Sequence, residues 1–139
     1  MHIESFVFGP FATNCYVLCN EQNEAWIIDP ACFSSQERQE MLTYIESKQL
    51  QVKAILATHG HLDHLWGAAW ACKQWVLPVL IHPADIPMAQ AMQQQYNLFG
   101  IRATPETFPI ESLQSSIFDH HSSMSIISTP GHTDRKSVV

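Results

Sequence analysis

The sequence predicts a single α/β domain with an antiparallel beginning. Three observations carry that expectation. Residues 1 to 29 break into three short β-branched and aromatic runs separated by turn residues, which read as a meander. From residue 34 onward, helical and strand-like stretches alternate, as they do where helices cover a largely parallel sheet. The length of 139 residues, with 46% apolar and 14% charged composition, suits one hydrophobic core rather than two domains or a disordered chain.

The runs Ile3 to Phe8, Cys15 to Cys19 and Ala25 to Asp29 supply the meander, with Gly9-Pro10 and Asn20 to Asn23 as turns and Asp29-Pro30 as its end. Ser34 then opens a helix, because its hydroxyl can cap the first turn while Glu37, three residues on, reaches back in a capping box. Met41, Leu42 and Ile45 are expected on its buried face. Val52 to Ala57 is a continuous apolar run of the kind found in strands covered on both sides. A helix over Leu65 to Val76, a strand over Val79 to Ile81 and a helix over Pro83 to Gln95 follow. Residues 97 to 116 lack periodicity and contain Gly100, Pro105 and Pro109, so they are expected to be loop. Met124 to Thr129 is the last expected strand.

The formal charge of −6 argues against nucleic-acid and anionic-membrane partners, which select basic patches. MHIESFVFGP lacks the basic start and long apolar region of a signal peptide, and no apolar stretch approaches the ~20 residues of a membrane span. A cytoplasmic location is the simplest expectation. The cysteines at 15, 19, 32 and 72 form no CxxC pair and read as reduced and mostly buried.

The chemistry concentrates in THGHLDH, residues 58 to 64. His59, His61, Asp63 and His64 lie within six residues, and composition alone produces such an HxHxDH pattern in about one chain in a thousand. Histidines at i and i+2 converge only on extended or tightly turned backbone, and Gly60 is expected to supply freedom for the turn. The run leaves the end of a buried strand, where α/β proteins place their sites. Imidazole and carboxylate suit zinc, one or two ions, while iron and manganese accept the same donors. His59 and His61 supply two ligands to a first metal, and Asp63 with His64 begins a second site. The third ligand is expected from a distant segment, with His132, after Pro130-Gly131, as the candidate. His120 and His121 read as turn residues, His82 as structural and His2 as solvated. Trp66 and Trp70, at helical spacing, read as core. Tyr96 and Phe99 are candidates for a substrate mouth.

TNCYVL at 13 to 18, WIIDPA at 26 to 31, THGHLDH at 58 to 64 and TPGHT at 129 to 133 together resemble the metallo-β-lactamase superfamily, and within it the glyoxalase II-like (hydroxyacylglutathione hydrolase-like) branch. The resemblance implies an αββα sandwich of which this chain holds the N-terminal half. It further implies His59, His61 and His132 as first-metal ligands, Asp63 and His64 in the second site, and Asp29 as a support of the metal loop. The implied activity is hydrolysis of a small acyl thioester by a metal-bound hydroxide, with Asp63 orienting the nucleophile. After Thr133 the family continues into a second half, whereas this sequence reads Asp134 to Val139. Three explanations are expected to compete: a truncated product, a homo-oligomer in which a second copy covers the open sheet, or a metal-binding module without turnover. The rival to the enzyme reading is therefore a non-catalytic metal-binding or oligomerising protein.

Overall fold

Two opposing needs shape the N-terminal half of the sheet: alternate side chains must find separate cores on its two faces. The computed structural model describes residues 1–113 and, as backbone, residues 126–129 and 135–138. Strands β1 (His2–Phe8), β2 (Thr13–Cys19) and β3 (Glu24–Ile28) pair antiparallel in the expected meander. Their alternation divides the burial. Phe6, Phe8, Cys15, Val17, Ala25 and Ile27 pack into one cluster, and Leu18, Trp26 and Ile28 into another on the opposite face.

Helix α1 (Ser35–Ser47) covers the first of these faces with Met41 and Ile45, while Leu42 is only half-buried. Its capping box forms as expected between Ser34 and Glu37. Strand β4 (Gln51–Leu56) returns parallel to β3, as a right-handed crossover allows, and Ala54, Ile55 and Leu56 are buried.

The next segment departs from expectation. In place of one helix over Leu65 to Val76, a 3₁₀ turn at Leu62–Leu65 is followed by α2 (Ala68–Trp75). Gly67 lies at the break. Its amide donates to the Pro30 carbonyl at 2.8 Å, and a Cβ there would stand 2.6 Å from the Cys32 carbonyl oxygen. Docking the loop against the β3–α1 connection takes precedence over continuing the helix. Trp66 therefore precedes α2, and its i, i+4 relation to Trp70 is not helical. Trp66 packs on Phe11, Phe33 and Tyr96, and Trp70 packs on Trp75.

Strand β5 (Val79–Ile81) adds parallel to β4. The helix expected over Pro83 to Gln95 is three pieces: a 3₁₀ turn at Pro83–Asp85, α3 (Ile86–Gln90) and α4 (Met92–Leu98). Pro87 has no N–H to give to residue 83, so α-helical bonding cannot start at Pro83, and Ala91 (φ −90, ψ 36) breaks the remainder. Inside the expected loop 97–116, Ile110–Ser112 forms β6, parallel to β5. Three residues are too few to show a period, and only pairing with β5 makes them a strand.

The six strands lie in the order β1-β2-β3-β4-β5-β6, antiparallel at first and then parallel. A second, two-stranded antiparallel sheet joins β7 (Ile126–Thr129) to β8 (Arg135–Val138). Strand β7 matches the expected one in its last four residues; β8 was not anticipated. Among the described residues, no helix is long and apolar enough to cross a membrane.

Candidate metal centre

The C-terminal ends of the two central parallel strands create the site. Asp29 follows β3 and donates its amide to the Leu56 carbonyl at 2.8 Å, which joins the exits of β3 and β4. Its φ is +57°, a left-handed conformation that costs most residues on the order of 1 kcal/mol and that Asp tolerates through its short polar side chain. The turn carries the carboxylate under the loop that leaves β4. There it is 3% exposed, and Oδ1 accepts from the Thr58 amide at 2.7 Å while Oδ2 accepts from the Thr58 hydroxyl at 2.8 Å. Oδ2 also lies 2.8 Å from Nδ1 of His64.

These contacts set where the ring protons sit. An ionised carboxylate only accepts, so Nδ1 of His64 carries a proton toward Asp29, and in the neutral ring Nε2 is then the lone-pair nitrogen. Thr58 has one hydroxyl proton, and it points to Asp29. Nδ1 of His59, 2.9 Å from that hydroxyl, must then be the donor, which again leaves Nε2 with the lone pair. Carboxylate-to-imidazole support of this kind orients a metal-binding ring and raises its basicity.

The loop brings four of the expected donors together. The His59 ring centroid lies 4.7 Å from that of His61 and 4.0 Å from that of His64. Nε2 of His64 lies 3.5 Å from Oδ2 of Asp63. That Oδ2 accepts from the Thr13 hydroxyl at 2.8 Å, so the TNCY segment of β2 orients the carboxylate. His61 is extended (φ −71, ψ 145) ahead of the 3₁₀ turn that carries Asp63 and His64. His132, His120 and His121 lie outside the described residues. Among the described residues, no group of three or more His, Cys, Asp or Glu side chains is arranged to hold a metal ion. His59, His61 and His64 and the Asp63 carboxylate are of the side-chain types that divalent ions accept as donors.

Gly60 serves the loop differently from the expectation. It is not among the residues with positive φ. It is needed because a Cβ would stand 2.7 Å from the Ala89 amide nitrogen and 3.0 Å from the Asp85 carbonyl oxygen. The loop is thus pressed onto the α3 backbone, and close approach rather than turning explains the glycine. Sequence reasoning also missed Gln95. Its Nε2 donates to the carbonyls of Gly60 (2.9 Å) and Met88 (2.8 Å), and its Oε1 accepts from the Leu62 amide at 2.8 Å. Nothing local marks that residue, since it is one of three consecutive glutamines.

His82 is structural, as expected: its Nδ1 accepts from the Ala84 amide at 3.0 Å and caps the 3₁₀ turn. Phe99 is exposed against Phe11, and Tyr96 is half-buried against Trp66. All four cysteines are free thiols, three of them buried. Burial pushes the Cys32 thiol up to about 12, despite the opposing Arg38 charge, and the Cys72 thiol up to about 11. Burial also raises the Cys15 thiol well above its ordinary value, with Cys32 adding to it. All three stay protonated at neutral pH and are poor candidates for thiolate ligands.

Residues 8–134 match the family described as the metallo-beta-lactamase superfamily. The chain belongs to the metallo-β-lactamase superfamily. Among solved members, the BLEG-1 B3 metallo-beta-lactamase superposes with a TM-score of 0.77 at 28% identity, covering 99% of this chain and 65% of that one. TTHA1623, solved in a di-iron-bound form, gives a TM-score of 0.74 at 24% identity, covering 97% and 64%. The hydroxyacylglutathione hydrolase of Hydrogenovibrio crunogenus is 30% identical over 115 residues, 82% of this chain and 35% of that protein. Hydroxyacylglutathione hydrolase GloC of Haemophilus influenzae is 39% identical over 74 residues, 53% of this chain and 32% of that protein. The chain therefore spans about a third of the length of these curated relatives. The six-stranded sheet, its helical cover and the β7–β8 pair are the parts of the superfamily fold present here.

Proposed function

We propose that this chain carries the metal-binding segment of a hydrolase that cleaves a small acyl thioester. The observation that carries the reading is the Asp29 carboxylate, buried beneath the loop, which accepts from Thr58 and engages Nδ1 of His64, while the Thr58 hydroxyl engages Nδ1 of His59. The thioester substrate is supported by the likeness to two hydroxyacylglutathione hydrolases. In this reading His59, His61 and His132 hold a first ion, and Asp63 with His64 contributes to a second. Zinc is the proposed metal, with iron and manganese compatible with the same donors; TTHA1623 supports iron. When bound, such ions polarise a carbonyl and lower the pKa of water. The protein's own part is orientation: Thr13 fixes the Asp63 carboxylate, and Asp29 keeps the proton on Nδ1 of His64. The proposal includes a cytoplasmic location, and the −6 charge supports the absence of a nucleic-acid partner.

The test is elemental analysis of the purified protein, combined with thiol release from a hydroxyacylglutathione and a His59→Ala blank. Bound metal and thiol release that both disappear in the variant support the proposal. Absence of metal at neutral pH in the folded protein overturns it, and metal without thiol release favours the non-catalytic alternative. A second reading, opening of a β-lactam ring, is favoured by the likeness to BLEG-1 and is checked with a chromogenic cephalosporin in the same assay.

A further inference from the structure

We propose that Gln95 is a positioning residue for the metal loop, setting the backbone on both sides of His61. The inference rests on the metal reading above. Residues 60 and 62 flank His61, and one side-chain amide 33 and 35 positions away holds both of them. Its carbonyl accepts from the Leu62 amide, one N–H is given to the Gly60 carbonyl, and the other goes to the Met88 carbonyl of α3. Both donors and one acceptor of the amide are thereby used.

The requirement is specific to glutamine. Glutamate accepts from Leu62 but has no donor for the two carbonyls, asparagine is one methylene shorter, and methionine fills the space without polar atoms. The contacts divide the loop into two supported arms. Asp29 acts from below on Thr58 and His64, whereas Gln95 acts from α4 on the peptide groups around His61. Gly60 completes the second arm by letting the loop lie against the Ala89 amide and Asp85 carbonyl. Without Gln95, the Gly60 and Met88 carbonyls and the Leu62 amide each lose this partner. The His61 ring would then sample positions that the His59 ring does not follow.

The experiment measures zinc affinity of the full chain by competition with a chromophoric chelator, together with the visible spectrum of the cobalt-substituted protein and the melting temperature. Gln95→Glu and Gln95→Met are compared with wild type and with Gln94→Ala, an exposed position on the same helix. Outer-sphere supports of metal ligands typically change affinity by about 10–100-fold, and losses of that order are expected in both Gln95 variants, with an altered cobalt spectrum. Gln94→Ala should match wild type. Unchanged zinc affinity and cobalt spectrum, with only a lowered melting temperature, would show a purely structural role and overturn the proposal. Failure of the wild type itself to bind zinc or cobalt overturns the metal reading, and this inference with it; the two failures are thus told apart by the wild-type titration.

Discussion

The loop at 58–64 and the α3–α4 segment that supports it meet at Gly60 and Leu62, yet they are encoded in opposite ways. In the loop the chemistry is local: four donor side chains fall within six residues, and their order alone points to a metal. In the supporting segment most side chains are exposed or half-buried, the helix is broken at Ala91, and one glutamine among three makes the contacts that matter. Donor identity can be written in a short motif because a metal needs particular atoms. Donor orientation cannot, because hydrogen-bond partners arrive from residues 13, 29 and 95, wherever the fold delivers them. The contrast makes a claim: changes in the loop should remove the metal, and changes in its supports should weaken binding by degrees.

The largest expected effect is His61→Ala, which should remove most zinc affinity, whereas His120→Ala and His121→Ala should leave it nearly intact. Equal losses from all three, read by chelator competition, would break the comparison by showing donors outside the motif. Affinity of the wild type should also fall below about pH 6, where protons compete with the metal for imidazole nitrogens.

Asp29→Asn tests the supports. Asparagine also tolerates the left-handed backbone, so folding should survive while the charge beneath Thr58 and His64 is lost. Zinc affinity should drop by about 10–100-fold, short of the loss in His61→Ala. An unchanged affinity would mean that the loop orients its own rings.

Gly60→Ala sharpens the distinction between turning and close approach. The new methyl meets α3 backbone rather than a flexible side chain, so thermal unfolding should show destabilisation of about 1–3 kcal/mol. A neutral substitution would show that α3 can withdraw at no cost.

The smallest effect lies away from the site. Glu37 accepts from the amides of Gly9, Phe33 and Ser34, tying the β1–β2 turn to the start of α1. Burial raises its pKa, but the three amides together outweigh that and hold the carboxyl below its ordinary value of 4.5. A carboxyl lowered on folding stabilises above its unfolded pKa, and that contribution is lost as pH falls from about 4.5 through the folded value. Glu37→Gln should therefore cost about 0.5 kcal/mol at pH 7, a small value because solvent screens this partly exposed carboxylate, and much less at pH 3, measured by urea unfolding. Equal cost at both pH values would show that shape, not charge, is what Glu37 contributes.

By itself the sequence determined what depends on neighbours along the chain: the three-strand meander, the Ser34–Glu37 box, the buried strand at β4 and the donor motif that follows it. The metallo-β-lactamase resemblance read from four short segments agrees with the family match. Tertiary structure decided what depends on partners far along the chain. Strand β6 exists because β5 offers a ladder, the helix expected from Leu65 starts only at Ala68 because Gly67 packs on Cys32, and Gly60 answers to α3 rather than to its own φ. Asp29 and Gln95 support the loop only because β3 ends and α4 passes beside it. Propensity and periodicity are short-range and repeat along a segment. A single amide or carboxylate satisfying distant backbone groups leaves no such period, and it becomes visible only once the chain has closed around it.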